Sequence, residues 1–188
     1  MSVEPAVRLR LDEWDRPADA DDHEILARCS GPTLDVGCGP GRLTAALTER
    51  GGVVLGIDVV HGAVGLTRGR GGAALRRDVF DRLPGEGRWE TALLADGNVG
   101  IGGDPVALLR RLREVLDPRG RVVAELAAPG TPHTDGWARL ECGVEQQVIR
   151  WSVVGIEDID EIAAQAGLAV VERLQCGERW CAVLEEAA

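Results

Sequence analysis

The sequence has 188 residues, 45% of them hydrophobic, and carries a net charge of −10 from 31 acidic and 21 basic side chains. This length and composition suit one domain with a sizeable core and argue against disorder. The acidic balance opposes binding to phosphate backbones, which disfavours nucleic acid and anionic membranes as substrates.

No apolar run approaches a membrane span and no basic-then-apolar leader opens the sequence, so the expected location is cytoplasmic. Every basic residue is an arginine. That excludes a P-loop lysine, a Schiff-base lysine and a lysine general base. Cysteines at 29, 38, 142, 176 and 181 are odd in number and lack a CxxC pair, which predicts buried thiols and not a disulfide framework. Three scattered histidines offer no metal-ligand spacing, so no metal is expected.

Taken in chain order, residues 1–30 are polar and acidic and read as an N-terminal arm or lid. Asp21 or Asp22 is placed to cap a short helix running to Arg28. Thr33–Val36 reads as a buried strand, Pro40–Arg50 as a helix stopped by Gly51-Gly52, and Val53–Ile57 as a second strand. A helix weakened by Gly62 and Gly65 covers Val60–Arg68, followed by a short strand at Ala73–Arg77 and another at Thr91–Ala95. The 100–103 region is rich in glycine and reads as a flexible loop. Asp104 and Pro105 then start a helix over Val106–Leu116, and the turn Asp117-Pro118-Arg119-Gly120 leads to a strand at Arg121–Leu126. Strands are expected within Leu140–Val154, a helix over Ile156–Ala166, and a closing hairpin from Leu168–Leu174 and Arg179–Leu184. Strands alternating with helices predict an α/β fold with a mostly parallel sheet.

The stretch LDVGCGPGRL, residues 34–43, concentrates the functional signal. Its glycines fall at Gly37, Gly39 and Gly41, whereas a dinucleotide fingerprint needs a glycine where Arg42 stands. A nicotinamide-dependent oxidoreductase is disfavoured on that spacing. The run Asp35–Gly41 resembles motif I of the class I S-adenosylmethionine-dependent methyltransferases. Three later stations follow the family's order: Gly56-Ile57-Asp58, Arg77-Asp78-Val79-Phe80 and Leu94-Ala95-Asp96-Gly97-Asn98. The likeness spans residues 33–126 well and the closing α-β-β pattern weakly.

The resemblance implies a three-layer Rossmann-like sandwich. Its mostly parallel seven-stranded sheet would run 3-2-1-4-5-7-6 with an antiparallel closing strand, within a single methyltransferase-like domain over 1–188. It implies S-adenosylmethionine as cofactor and S-adenosylhomocysteine as product. Asp35, Gly37, Cys38, Gly39 and Gly41 would surround the amino-acid part. Asp58 and Val59 would meet the ribose, Asp78 and Val79 the adenine, and Ala95, Asp96 and Gly97 the methionine part. The acceptor would be a small molecule met by Asn98, His133 and Trp14, with 128–155 as the acceptor-side segment. Asp96 and His133 are the candidate bases, needed only if the acceptor holds a proton at working pH. The competing reading is a module that holds the cofactor without transferring its methyl group. No motif specifies an oligomeric state.

Overall fold

The computed structural model describes residues 7–187. Strand β1 (Val7–Arg10) and a short 3-10 turn lead to helix α1 (Ala20–Leu26). Then come β2 (Thr33–Val36), α2 (Arg42–Glu49), β3 (Val54–Asp58), α3 (His61–Gly69), β4 (Ala74–Arg76) and β5 (Trp89–Leu94). Helix α4 (Pro105–Val115), β6 (Leu116–Leu126), β7 (Thr134–Cys142) and β8 (Glu145–Val153) follow. Helix α5 (Ile159–Gln165), β9 (Leu168–Cys176) and β10 (Arg179–Glu186) close the chain.

Seven strands form one sheet in the order β4-β3-β2-β5-β6-β10-β9. Counted along the chain within that sheet, the order is 3-2-1-4-5-7-6. The pairs among β2 to β6 are parallel, and β10 is antiparallel to both β6 and β9. Successive side chains leave a strand on opposite faces, so each central strand feeds two cores. Leu34, Val36, Leu94, Val122 and Leu184 pack with Leu108, Leu109 and Leu112 of α4 and Ile159 of α5. Leu93, Val123 and Val183 face the other way, onto Ile25 and Leu26 of α1 and Leu43 and Leu47 of α2. The result is the expected three-layer sandwich. No helix among the described residues is long and apolar enough to cross a membrane.

Three expectations need correction. The cap of α1 is Asp19, whose side chain accepts from the Asp22 N–H at 2.9 Å while Asp22 accepts from the Asp19 N–H at 3.1 Å. This reciprocal box starts the helix two or three residues early and leaves Asp22 inside its first turn. The segment 117–120 is no free turn; β6 begins at Leu116, opposite Trp89, and absorbs those residues with a shift of register. Finally, the N-terminal segment read as a polar arm contains strand β1. It runs parallel to β7, which pairs with β8, and the three make a separate small sheet.

The glycine-rich loop is the seat of that sheet. A Cβ on Gly100 would lie 1.8 Å from the backbone oxygen of Ser152, and one on Gly103 would lie 3.0 Å from Cβ of Arg150. Between them Ile101 forms a β-bridge with Trp151. The glycines are there for close approach of strand β8, not for flexibility. Gly100→Ala is expected to displace β8 and to lower unfolding free energy by about 1–3 kcal/mol, measured by urea denaturation.

Candidate active site

A cavity of about 400 Å³ opens at the carboxyl ends of β2, β3, β4 and β5, where open α/β sheets bind ligands. Its floor is Gly37, Cys38 and Gly39, its sides include Asp58, Val59, Asp78, Val79, Asp96 and Asn98, and the small sheet roofs it. Leu9, Leu11 and Trp14 of the N-terminal segment face it together with Trp137, Leu140, Ile149, Arg150 and Trp151. Residues of the 9–14 and 137–151 segments thus meet over one space.

The floor is shaped by the turn after β2. Gly37 has φ of +74° and Gly41 φ of +84°, conformations that side chains resist. A Cβ on Gly41 would also fall 2.7 Å from Cα of Thr67. Asn98 holds the turn from above, its Nδ2 donating to the carbonyls of Val36 and Gly37 at 2.9 Å each. Asp58 holds it from the side, accepting from the Gly39 N–H at 2.9 Å and the Val60 N–H at 2.8 Å. Burial raises the Asp58 pKa above the ordinary value, and those two donors offset part of the rise.

Beneath the cavity lies a charged network that sequence reading missed. Arg42 is 4% exposed and Asp22 is fully buried. Arg42 donates to both oxygens of Asp22 at 3.1 and 3.0 Å and to both oxygens of Asp96 at 2.7 and 2.8 Å. Arg179 donates to both oxygens of Glu125 at 2.9 and 2.6 Å and to Asp22 at 2.6 Å. The Asp96 N–H closes the circuit on Glu125 at 2.6 Å. Burial alone would raise the Asp22 pKa, but the donors on Arg42 and Arg179 outweigh it and hold Asp22 far below the usual carboxylate range. Asp96 is the one described non-glycine residue with positive φ, at +54°, a strained conformation maintained by this surrounding set of bonds.

The site residues anticipated from sequence divide accordingly. Gly37, Cys38, Gly39, Asp58, Val59, Asp78, Val79, Asp96, Asn98 and Trp14 line the cavity. Asp35, Gly41, Ala95, Gly97 and His133 do not line it. Asp35 is buried below, accepting from the Thr44 hydroxyl at 2.6 Å. Gly41 caps α2, and Ala95 is enclosed in the core. His133 stands exposed at the start of β7, its ring 3.2 Å from Asp135, so it is not placed as a base. Asp96 reaches the cavity with both of its oxygens accepting from Arg42. The sequence held one trace of the network, the arginine standing where a third glycine would be expected.

This sheet order, with a glycine floor and acidic strand ends around one cavity, defines the class I methyltransferase fold. The chain belongs to the family described as Methyltransferase domain, whose model matches residues 15–173. Among solved structures, a methyltransferase from Bacteroides fragilis in complex with S-adenosylhomocysteine superposes with a TM-score of 0.77 at 22% identity, covering 94% of this chain and 81% of that one. The CcbJ methyltransferase of Streptomyces caelestis gives 0.71 at 18% identity, covering 95% of both chains. A 1,6-didemethyltoxoflavin-N1-methyltransferase from Burkholderia thailandensis gives 0.68 at 19%, covering 94% and 82%. At these identities the likeness is one of fold. The search of curated proteins returned no match.

Two outcomes are expected from this geometry. Arg42→Met takes both bidentate donors from Asp96 and leaves Asp22 to Arg16 and Arg179, and should cost about 3–5 kcal/mol of stability in urea unfolding. Asp35 has its pKa pushed up by burial, with the charge of Asp96 adding to it, from 3.8 to about 6. A raised folded pKa gives a contribution present below the unfolded value and lost as pH rises through the folded one. The stability of the wild type relative to Asp35→Asn should therefore fall by about 3 kcal/mol between about pH 4 and about pH 7.

Proposed function

We propose that the protein is an S-adenosylmethionine-dependent methyltransferase acting on a small molecule. The observation that carries this is the joining of a bare glycine floor to acidic residues at the ends of β3 and β4 around one cavity. The site fits that cofactor. A Cβ on Gly39 would enter the cavity and approach only Leu11, at 3.9 Å, so the glycine leaves room that a ligand fills.

Gly37, Cys38 and Gly39 would lie along the cofactor's amino-acid part. Asp58 has lone pairs left for ribose hydroxyls after its two backbone donors, since a carboxylate offers about four acceptor positions. Asp78, at the rim, would take the adenine amino group beside Val79. When bound, the cofactor supplies a methyl group made electrophilic by its sulfonium sulfur. The protein's part is to orient the reactants and exclude water, which supplies much of the rate of a displacement. The small sheet serves as the cover, with residues 7–14 and the 128–155 segment forming the acceptor side of one domain. Asn98 acts mainly by bracing the glycine turn. The Burkholderia neighbour, by its name a methyltransferase of 1,6-didemethyltoxoflavin, shares this fold and supports the reading.

Calorimetric titration with S-adenosylmethionine and S-adenosylhomocysteine tests it. Both should bind to the wild type, and Asp58→Ala should weaken both by about tenfold or more. Absence of heat with either ligand at millimolar concentration would sink the proposal.

A further inference from the structure

The backbone after β5 turns through two consecutive left-handed residues. Asp96 has φ of +54° and Gly97 φ of +77°, and the Asn98 N–H donates to the Ala95 carbonyl at 3.0 Å. A side chain such as that of Asp96 resists this conformation. Asp96 also lines the cavity, so the strain lies at the site and not in a remote turn. The turn delivers Asn98, whose Nδ2 donates to the carbonyls of Val36 and Gly37. A Cβ on Gly37 would fall 2.8 Å from that Nδ2, so the amide sits directly against the cavity floor.

What holds the turn lies outside the cavity. Leu94 of β5 pairs with Ala124 of β6, which sets Glu125 beside the point where β5 gives way to the turn. Glu125 Oε2 accepts from the Asp96 N–H at 2.6 Å, a short charge-assisted bond. Arg179 fixes that carboxylate in turn by donating to both of its oxygens. The Asp96 carboxylate lies 3.5 Å from the same guanidinium. Two carboxylates so close would repel if Arg42 and Arg179 did not stand against them. Neither Glu125 nor Arg179 lines the cavity.

We infer, given the reading of the cavity as an S-adenosylmethionine site, that Glu125, clamped by Arg179, is a positioning residue for the cofactor's amino-acid part. It acts through three bonded steps. Its carboxylate fixes the Asp96 N–H, the left-handed turn then places Asn98, and Asn98 fixes the carbonyls of Val36 and Gly37. With those carbonyls held, the glycine floor keeps the one shape against which the amino-acid part would lie. The acids at the other end of the cavity stand elsewhere, Asp58 at the end of β3 and Asp78 just past β4, and Glu125 bonds to neither. A loss at Glu125 is therefore felt at one end of the cavity and not at the other.

The test titrates the full-length protein calorimetrically with two ligands. One is S-adenosylhomocysteine; the other is methylthioadenosine, which keeps the adenosine and the sulfur but lacks the amino-acid part. Glu125→Leu, similar in size but unable to accept a hydrogen bond, should weaken S-adenosylhomocysteine by about tenfold or more. Methylthioadenosine should weaken by no more than about twofold. Glu125→Gln keeps a neutral acceptor and should fall between the wild type and Glu125→Leu, with the same selectivity. Should Glu125→Leu fail to fold, Glu125→Gln decides. Asn98→Ala should show the same pattern, and Glu125→Gln added to it should weaken S-adenosylhomocysteine no further, because both act along one path. Equal losses for the two ligands, no loss in either Glu125 variant, or full additivity with Asn98→Ala overturns the inference while leaving the cofactor assignment intact. If methylthioadenosine binds too weakly to measure, the additivity result alone decides. Failure of S-adenosylhomocysteine to bind the wild type removes the methyltransferase reading and this inference with it.

Discussion

A guanidinium taken almost wholly out of water must find acceptors on every side, because an unpaired charge in the interior costs several kilocalories per mole. Arg42 meets that requirement by drawing Asp22 from α1 and Asp96 from the end of β5 against the start of α2. Arg179 of β10 then balances Asp22 and Glu125. Five elements far apart in sequence are thereby set around the cavity floor. The N-terminal helix is held inside the domain by charge as well as by the apolar contacts of Ile25 and Leu26. Within this arrangement, the strained backbone of Asp96 persists because both its carboxylate and its N–H are fixed.

The roof depends on a different constraint, the closeness of two backbones. Gly100 and Gly103 have no side chain to hold β8 away, so the strand settles directly on the loop after β5. Glu145 fastens the same hairpin to α3 by accepting from the N–H groups of His61 and Gly62 at 3.1 and 2.9 Å. Those contacts place an acidic side chain at a helix N-terminus, where the dipole favours it. The cover is therefore joined to the core at two points, and Trp151 reaches the cavity from a supported strand.

The central strands and helices were readable because their signals are local. Thr33–Val36, the helix after Asp104-Pro105 and the closing hairpin each declare themselves within a dozen residues through periodicity, caps or a short turn. The glycine turn was readable for the same reason, and the acids at 58 and 78 were picked out by the resemblance that the turn carries, since they follow the family's order. Errors arose where two local choices were close in merit, as among Asp19, Asp21 and Asp22 for the helix cap. They arose again where a local signal had a distant cause: the glycines at 100 and 103 suggested mobility, yet the partner that explains them lies some fifty residues on. His133 looked available because it sits in a loop after β6, but loop position does not tell which way a side chain faces.

By itself the sequence determined the alternation of strands and helices and the glycine turn, which follow from short-range spacing, while the layered order and the acidic strand ends came from the family resemblance of residues 33–126. Only the tertiary structure decided that Asp22 is buried, that Asp96 is bound to Arg42, and that β1 joins β7 and β8 as a roof. Those facts depend on which charges must be paired once water is excluded, and on which backbones can approach. Such pairings join residues tens to more than a hundred positions apart, and no local pattern records them.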